Sequence, residues 1–253
     1  MFGICNLAIV PVRLEPNHRS EMVSELLFGE HFRIIEKTKG WIKIKIQFDG
    51  YEGWIDEKQF QPISENDFNL LSSKEIVLNA DLIEYISGKD NLLFPIPLGA
   101  SLLFLDISSV NTSEFVFEGL KATIQKPKTE ILKTAFMYLN TPYLWGGKTP
   151  FGIDCSGFVQ MVYKLNGYSL LRDANQQATQ GEVLSFIEEA EAGDLAFFDN
   201  EDGKITHVGI LMNDNYIIHA HGKVRIDRLD HLGIMNVDTK RHTHKLRVIK
   251  KII

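Results

Sequence analysis

Gly152-Ile153-Asp154-Cys155-Ser156-Gly157-Phe158-Val159 places one of the chain's two cysteines at the start of an apolar periodicity. Asp154 is an N-cap residue type. Phe158, Val159, Val162 and Leu165 recur at helical spacing, and Gly167 is a natural stop, so a helix is predicted over 155–165. A cysteine in the first turn of such a helix meets free N–H groups and the positive end of the helix dipole. Both favour a thiolate, pulling the thiol below its free pKa of ~8.5. The bland reading is a small buried residue, which free cysteines usually are. The flanking glycines, the upstream Trp145-Gly146-Gly147 loop and the histidines downstream turn the reading towards a nucleophile.

His207 opens the strand-like run His207-Val208-Gly209-Ile210-Leu211-Met212, and His219 lies in Tyr216-Ile217-Ile218-His219-Ala220. Asn213-Asp214-Asn215 between them is a turn signal. With those three residues as the loop, His207 faces residue 221 and His219 sits one diagonal step away on the same sheet face. Such neighbours are ~7–8 Å apart, within reach of long side chains. A two-residue loop would put the histidines on opposite faces. A reading with His207 as base for Cys155 and His219 as the group that orients it therefore needs the odd loop, and His221 is the rival for the third role. His18, His231, His242 and His244 read as surface residues.

Outward from this site the chain changes character. Residues 1–62 read as short strands and turns: Ala8–Arg13, His31–Lys37, the alternating Trp41–Ile46, and Tyr51–Ile55 after Asp49-Gly50. Close spacing of short strands predicts a small β-barrel. Residues 66–123 are again β-prone, with strands expected at 83–86, 101–107 and 114–117. Leu27-Phe28-Gly29-Glu30 is echoed by Pro97-Leu98-Gly99-Ala100, an offset of 99 − 29 = 70. Lys126-Pro127-Lys128 reads as a linker, with Thr129 capping a helix at 130–139. Helices at 155–165 and 173–184 follow. Strands are then expected at 194–199, 207–212, 216–221, 223–229 and 245–252. Helices followed by a strand meander define an α+β layout.

Composition narrows the function. The formal charge is 27 − 33 = −6, with no polycationic footprint for nucleic acid. The basic stretch Lys240, Arg241, Lys245, Arg247, Lys250 and Lys251 reads as a solvated strand face. Two cysteines, Cys5 and Cys155, are too few for a disulfide framework or a cysteine metal site. No cofactor and no metal are expected. No apolar run reaches the ~20 residues of a membrane span, so no membrane partner is expected. Met1–Arg13 lacks a basic leader, which gives a cytoplasmic expectation. The oligomeric state is left open.

Five ordered blocks resemble NlpC-type cell-wall cysteine peptidases: Pro142-Tyr143-Leu144-Trp145-Gly146-Gly147, Asp154-Cys155-Ser156-Gly157-Phe158, Gly193-Asp194-Leu195, His207-Val208-Gly209-Ile210 and Ile218-His219-Ala220. The front resembles bacterial SH3-like domains over Val12–Pro16 and Gly50–Ile55. The resemblance implies a papain-like catalytic domain at 126–253 behind two small SH3-like β-barrels at 1–63 and 64–125. The whole arrangement is similar to γ-D-glutamyl-L-diamino acid endopeptidases. That likeness implies murein peptides carrying a free N-terminal L-Ala as substrate. It implies Cys155, His207 and His219 as the triad and Tyr143 near the oxyanion. Asp154 and Ser156 would hold the substrate's amino terminus, and Trp145 counts with the substrate-binding residues. Tyr51 and Glu15, with Glu21 as rival, would close the non-primed side. A non-catalytic wall-peptide binder, and amidase or acyltransferase chemistry on the same scaffold, are the competing readings.

Overall fold

The computed structural model describes residues 1–89, 92–123 and 125–253. The chain divides into two compact units, Met1–Ile124 and Gln125–Ile253.

In the first unit seven antiparallel strands form one sheet, in the order Met22–Leu27, Ile9–Arg13, Glu52–Asp56, Trp41–Ile46, His31–Thr38, Phe2–Ile4 and Gln61–Ile63. Period-two alternation sorts Trp41–Ile46: Ile42, Ile44 and Ile46 are buried with Val10, Val12, Leu26, Phe32 and Ile55, while Lys45 is exposed. A helix at Glu65–Ser73 was not expected. Its signal is Ser64, whose Oγ accepts the Asp67 amide at 3.0 Å. The strand expected at 101–107 is instead a 3₁₀ helix at Leu102–Asp106. Leu102, Leu103 and Phe104 are buried in succession, and an alternating half-exposed strand cannot bury three neighbours in a row.

The sequence echo has a backbone counterpart. Gly29 and Gly99 adopt φ of 77° and 81°. Gly29 N donates to Cys5 O and Gly99 N to Asn79 O, both at 2.9 Å or less. Cys5 N in turn donates to Glu30 O, and Asn79 N to Ala100 O. The two turns meet where Ser101 N donates to Phe28 O at 2.7 Å. A Cβ on Gly29 would fall 1.9 Å from Ser101 O, so glycine is required there. Ile4 and Phe28 pack with Leu71, Ile86, Ile96 and Phe104, so one core crosses the 63/64 boundary drawn from sequence.

The second unit is built on antiparallel strands Leu195–Asp199, Ile205–Leu211, Tyr216–His221, Lys223–Asp230, Gly233–Met235 and His242–Lys251. The last pairs with both the first and the fifth, closing a six-stranded barrel, and Glu182–Leu184 pairs with its end at residues 249–251. One strand face turns inward, where Ala196, Phe198, Leu211, Ile217, Leu229, Ile234 and Ile249 cluster. The other face carries Val208, Ile210, Ile218 and Ala220, all buried on the side where the helix Cys155–Lys164 packs. Covered on both sides, these strands read as apolar runs rather than clean alternation. Thr129 does not cap the helix Glu130–Phe136. It is itself helical, and the helix starts from a turn in which Glu130 N donates to Pro127 O. The helix expected over 173–184 shrinks to Ala174–Gln177, because Gly181, at φ 70° and tight against Lys251 O, turns the chain into the edge strand.

Candidate active site

Asp154 caps the helix as its type suggested: Gly157 N donates to Oδ1 at 2.6 Å. The helix is buried all round rather than on one face. Cys155, 6% exposed, opens it. Its thiol lies 4.0 Å from Thr206 O, and the Val208 amide also reaches it, so the sulfur sits against the backbone on either side of His207.

The histidine hairpin has the odd register. Gly209 pairs with His219, and Asn213–Asn215 forms the loop, with Asp214 and Asn215 at φ 58° and 60°. His207 Nε2 lies 2.8 Å from His219 Nδ1. A Cβ on Gly209 would fall 2.9 Å from His219 Cβ, so this glycine makes room for the second ring.

Beyond His219 stands Asp227, which sequence reasoning missed. Its Oδ2 lies 3.0 Å from His219 Nε2 and accepts Arg225 Nε at 2.7 Å. Its Oδ1 accepts Arg225 Nη2 and the Val237 amide, each at 2.9 Å. The strand register of the next hairpin brings it there, since His219 pairs with Arg225 and Ile217 with Asp227. His221 did not take the third place. It is exposed, and its ring centroid lies 6.5 Å from that of His207. His244, expected on the surface, instead stacks on His207 at 4.1 Å and 23°.

A second polar centre lies under the helix start. Arg172, 1% exposed, donates Nη1 to Asp154 Oδ1 at 3.0 Å and Nη2 to Oδ2 at 2.6 Å. Its Nη1 also reaches Ser156 Oγ at 3.0 Å, and Gly146 N donates to Asp154 Oδ2 at 2.8 Å. Tyr143 is half-buried and hangs from Gly222 O by its amide at 3.0 Å. Trp145 is 58% exposed. In the first unit Tyr51 is half-buried against the barrel core, while Glu15 and Glu21 are exposed in the Arg13–Met22 loop. Among the described residues no group of three or more His, Cys, Asp or Glu is arranged to hold a metal ion.

Electrostatics correct the expected thiolate. Burial pushes the Cys155 thiol up to about 12 and the Asp154 carboxylate adds to that, while the Val208 and Ser156 amides and Arg172 pull back only in part. Burial, then the neighbouring His219, His244 and His221, hold His207 well below 6.5. Both shifts favour a neutral thiol and a neutral imidazole at rest. Burial first, then the neighbouring Asp154 carboxylate and, once ionised, Cys155, also lifts the Tyr143 phenol far above its usual range, so it keeps its proton as a donor.

A cysteine on a buried helix start and a histidine couple on the facing barrel are the arrangement of a papain-like cysteine peptidase. Residues 140–243 match the NlpC/P60 family, and residues 12–60 match the bacterial dipeptidyl-peptidase Sh3 domain. The γ-D-glutamyl-L-lysine dipeptidyl-peptidase of Bacillus subtilis (strain 168) is 30% identical over 223 residues, covering 78% of this chain and 71% of that protein. Dipeptidyl-peptidase 6 of Lysinibacillus sphaericus is 26% identical over 246 residues, covering 85% and 87%. A crystal structure of an NlpC/P60 family protein from Bacillus cereus ATCC 10987 superposes with a TM-score of 0.80 at 18% identity, covering 100% of this chain and 99% of that one. The chain belongs to the NlpC/P60 family of cysteine peptidases.

Proposed function

We propose that this peptidase hydrolyses the γ-D-Glu–diamino acid bond of murein peptides that carry a free N-terminal L-Ala, in the cytoplasm, on peptides released during wall turnover. The observation that carries the reaction is the buried His207–His219 couple at 2.8 Å beside Cys155. The similarity to dipeptidyl-peptidases, which extends across both units, supports the choice of substrate. Cys155 Sγ attacks the γ-carbonyl carbon as its proton passes to His207. Tyr143, kept protonated, donates to the oxyanion. His207 then gives the proton to the departing amine of the diamino acid. Water activated by the same imidazole cleaves the thioester.

Asp154 takes five donor contacts on two oxygens, from Gly146, Ser156, Gly157 and twice from Arg172. A carboxylate has about four lone-pair sites, so an ammonium there must displace one of them. We keep Asp154 and Ser156 as the residues to which the family resemblance gives the substrate's amino terminus, with Trp145 among the substrate-binding residues and with Glu15 and Tyr51 closing the non-primed side as that resemblance implies. The test is mass spectrometry of products from L-Ala-γ-D-Glu-diamino acid peptides, free and N-acetylated. Free peptide should be cleaved at the γ-Glu amide at least a hundredfold faster in kcat/KM. Glu15→Gln and Tyr51→Phe should narrow that gap. Equal cleavage of both peptides by the unaltered protein overturns the free-amine reading, and activity found in a non-cytoplasmic fraction overturns the location.

A further inference from the structure

We infer that Asp227 is a positioning residue that sets, through two imidazole rings, which nitrogen of His207 is free to act as base. The inference rests on Cys155 as nucleophile and His207 as its base. An ionised carboxylate only accepts hydrogen bonds, so the 3.0 Å contact to Asp227 Oδ2 places the His219 proton on Nε2. Neutral His219 then offers a lone pair at Nδ1. The 2.8 Å contact from His207 Nε2 is closed by a proton on that His207 nitrogen. Nδ1 is the one ring nitrogen of His207 left, and it is unprotonated. Attack by Cys155 moves the thiol proton onto it. The imidazolium charge that results is met by a chain ending in the Asp227 carboxylate.

The surroundings hold the carboxylate in this role. Four donors converge on it: His219 Nε2, Arg225 Nε, Arg225 Nη2 and the Val237 amide. Burial pushes Asp227 up, but the His219 and Arg225 hydrogen bonds and the Val237 amide outweigh that and hold it at about 2. Arg225 is itself steadied by Asp238 at 2.7 Å. Among the described residues the other titratable groups that face His207 are His221 on the hairpin and His244 on the last strand, and the Cys155 thiol lies 4.0 Å from the adjoining Thr206 carbonyl.

Asp227→Asn tests this because an amide has one accepting corner and one donating corner. The Val237 N–H cannot change, so the amide oxygen stays there, the NH₂ turns to His219, and the Arg225 Nε bond to that corner is given up. A neutral His219 can switch tautomer to accept it. That switch puts a proton on His219 Nδ1, drives the His207 proton to Nδ1, and presents Cys155 with a donor instead of a base. We expect kcat to fall on the order of a thousandfold or more with KM within a few-fold, the order seen when a triad tautomer is inverted. Cys155 alkylation by iodoacetamide at pH 7 should slow in parallel, with no substrate needed. In a His219→Ala background, Asp227→Asn should change neither rate by more than about threefold. A variant within threefold of the unaltered enzyme, or an equal further loss on top of His219→Ala, overturns the relay. Nitrogen-15 spectra of the unaltered protein provide a check that needs no variant to fold: His207 should carry its proton on Nε2, and a proton on Nδ1 overturns the inference. Should murein peptides prove not to be cleaved, the alkylation and tautomer results still decide the relay, so the two readings fail separately.

Discussion

At Gly209 the approach of His219 to His207 depends on a missing side chain. An added Cβ would sit 2.7 Å from Ile217 Cδ1 and 2.9 Å from His219 Cβ. Gly209→Ala should therefore push the second ring away from His207. We expect a loss of about 1–3 kcal/mol of stability from overpacking and at least a tenfold fall in kcat with KM held, read by thermal melts beside steady-state kinetics. Cys155 offers a second test at this scale. Its thiol is held up at about 12 by burial and Asp154, so the free enzyme should show iodoacetamide alkylation still rising beyond pH 9. A plateau established below pH 7 would mean a thiolate–imidazolium pair instead. The meeting of His207 and His219 was legible because the turn between the histidines fixes their register. The raised thiol was not legible. Position at a helix start can be read from sequence, whereas desolvation depends on what the fold packs over it. Arg172 escaped for the same reason, since nothing in Leu171-Arg172-Asp173 marks a guanidinium that ends up 1% exposed.

Among the elements, the helix Cys155–Lys164 owes its place to a buried ion pair at its N-terminus. Arg172 binds Asp154 through two nitrogens, and Asp154 in turn ties down Gly146 and Gly157. Arg172→Met would leave that carboxylate buried without its cation. The expected loss is about 3–5 kcal/mol, the usual range when one partner of a buried pair is removed. Adding Asp154→Asn should recover part of it, and a double-mutant cycle by chemical denaturation measures the coupling. Strand positions were read well where one face is wet, as in Trp41–Ile46. They were read poorly where burial is continuous, as at Leu102–Asp106, because an apolar run has no period of its own. Ala174–Gln177 shows a third limit. The helical pattern was present, but Gly181 and the edge pairing of Glu182–Leu184 with Lys251 through Ile249 overrode it. Tertiary pairing of that kind is invisible to a local window.

For the molecule as a whole, the buried histidines make acid the sensitive direction, and unequally so in the two units. Burial lowers His31 in the first unit to about 4, against a small opposing pull from Glu30. In the second unit burial lowers His207, His219 and His244, the last to about 4, although the Asp227 hydrogen bond works against the shift at His219. A histidine kept neutral by the fold binds no proton below pH ~6.5, whereas the unfolded chain does. Unfolding therefore takes up protons, and stability falls as pH drops. The contribution is intact above pH 6.5 and is lost progressively down to the folded-state values. For a fully buried group such as His207 the slope is about 1.4 kcal/mol per pH unit. Asp227, held at about 2, adds a further loss only below the ordinary carboxylate range. With three depressed histidines against one, the second unit should lose more of its melting temperature between pH 7 and pH 5 than the first. Each unit has its own core, so fragments 1–124 and 125–253 can be compared by scanning calorimetry beside the full chain. The full chain should show its acid-labile transition at the temperature of fragment 125–253. His207→Gln should flatten that fragment's pH dependence while Cys155→Ala leaves it unchanged. Equal slopes in the two fragments, or an unchanged slope in His207→Gln, would mean that the histidine cluster is not held neutral and that the resting state of the catalytic couple must be redrawn.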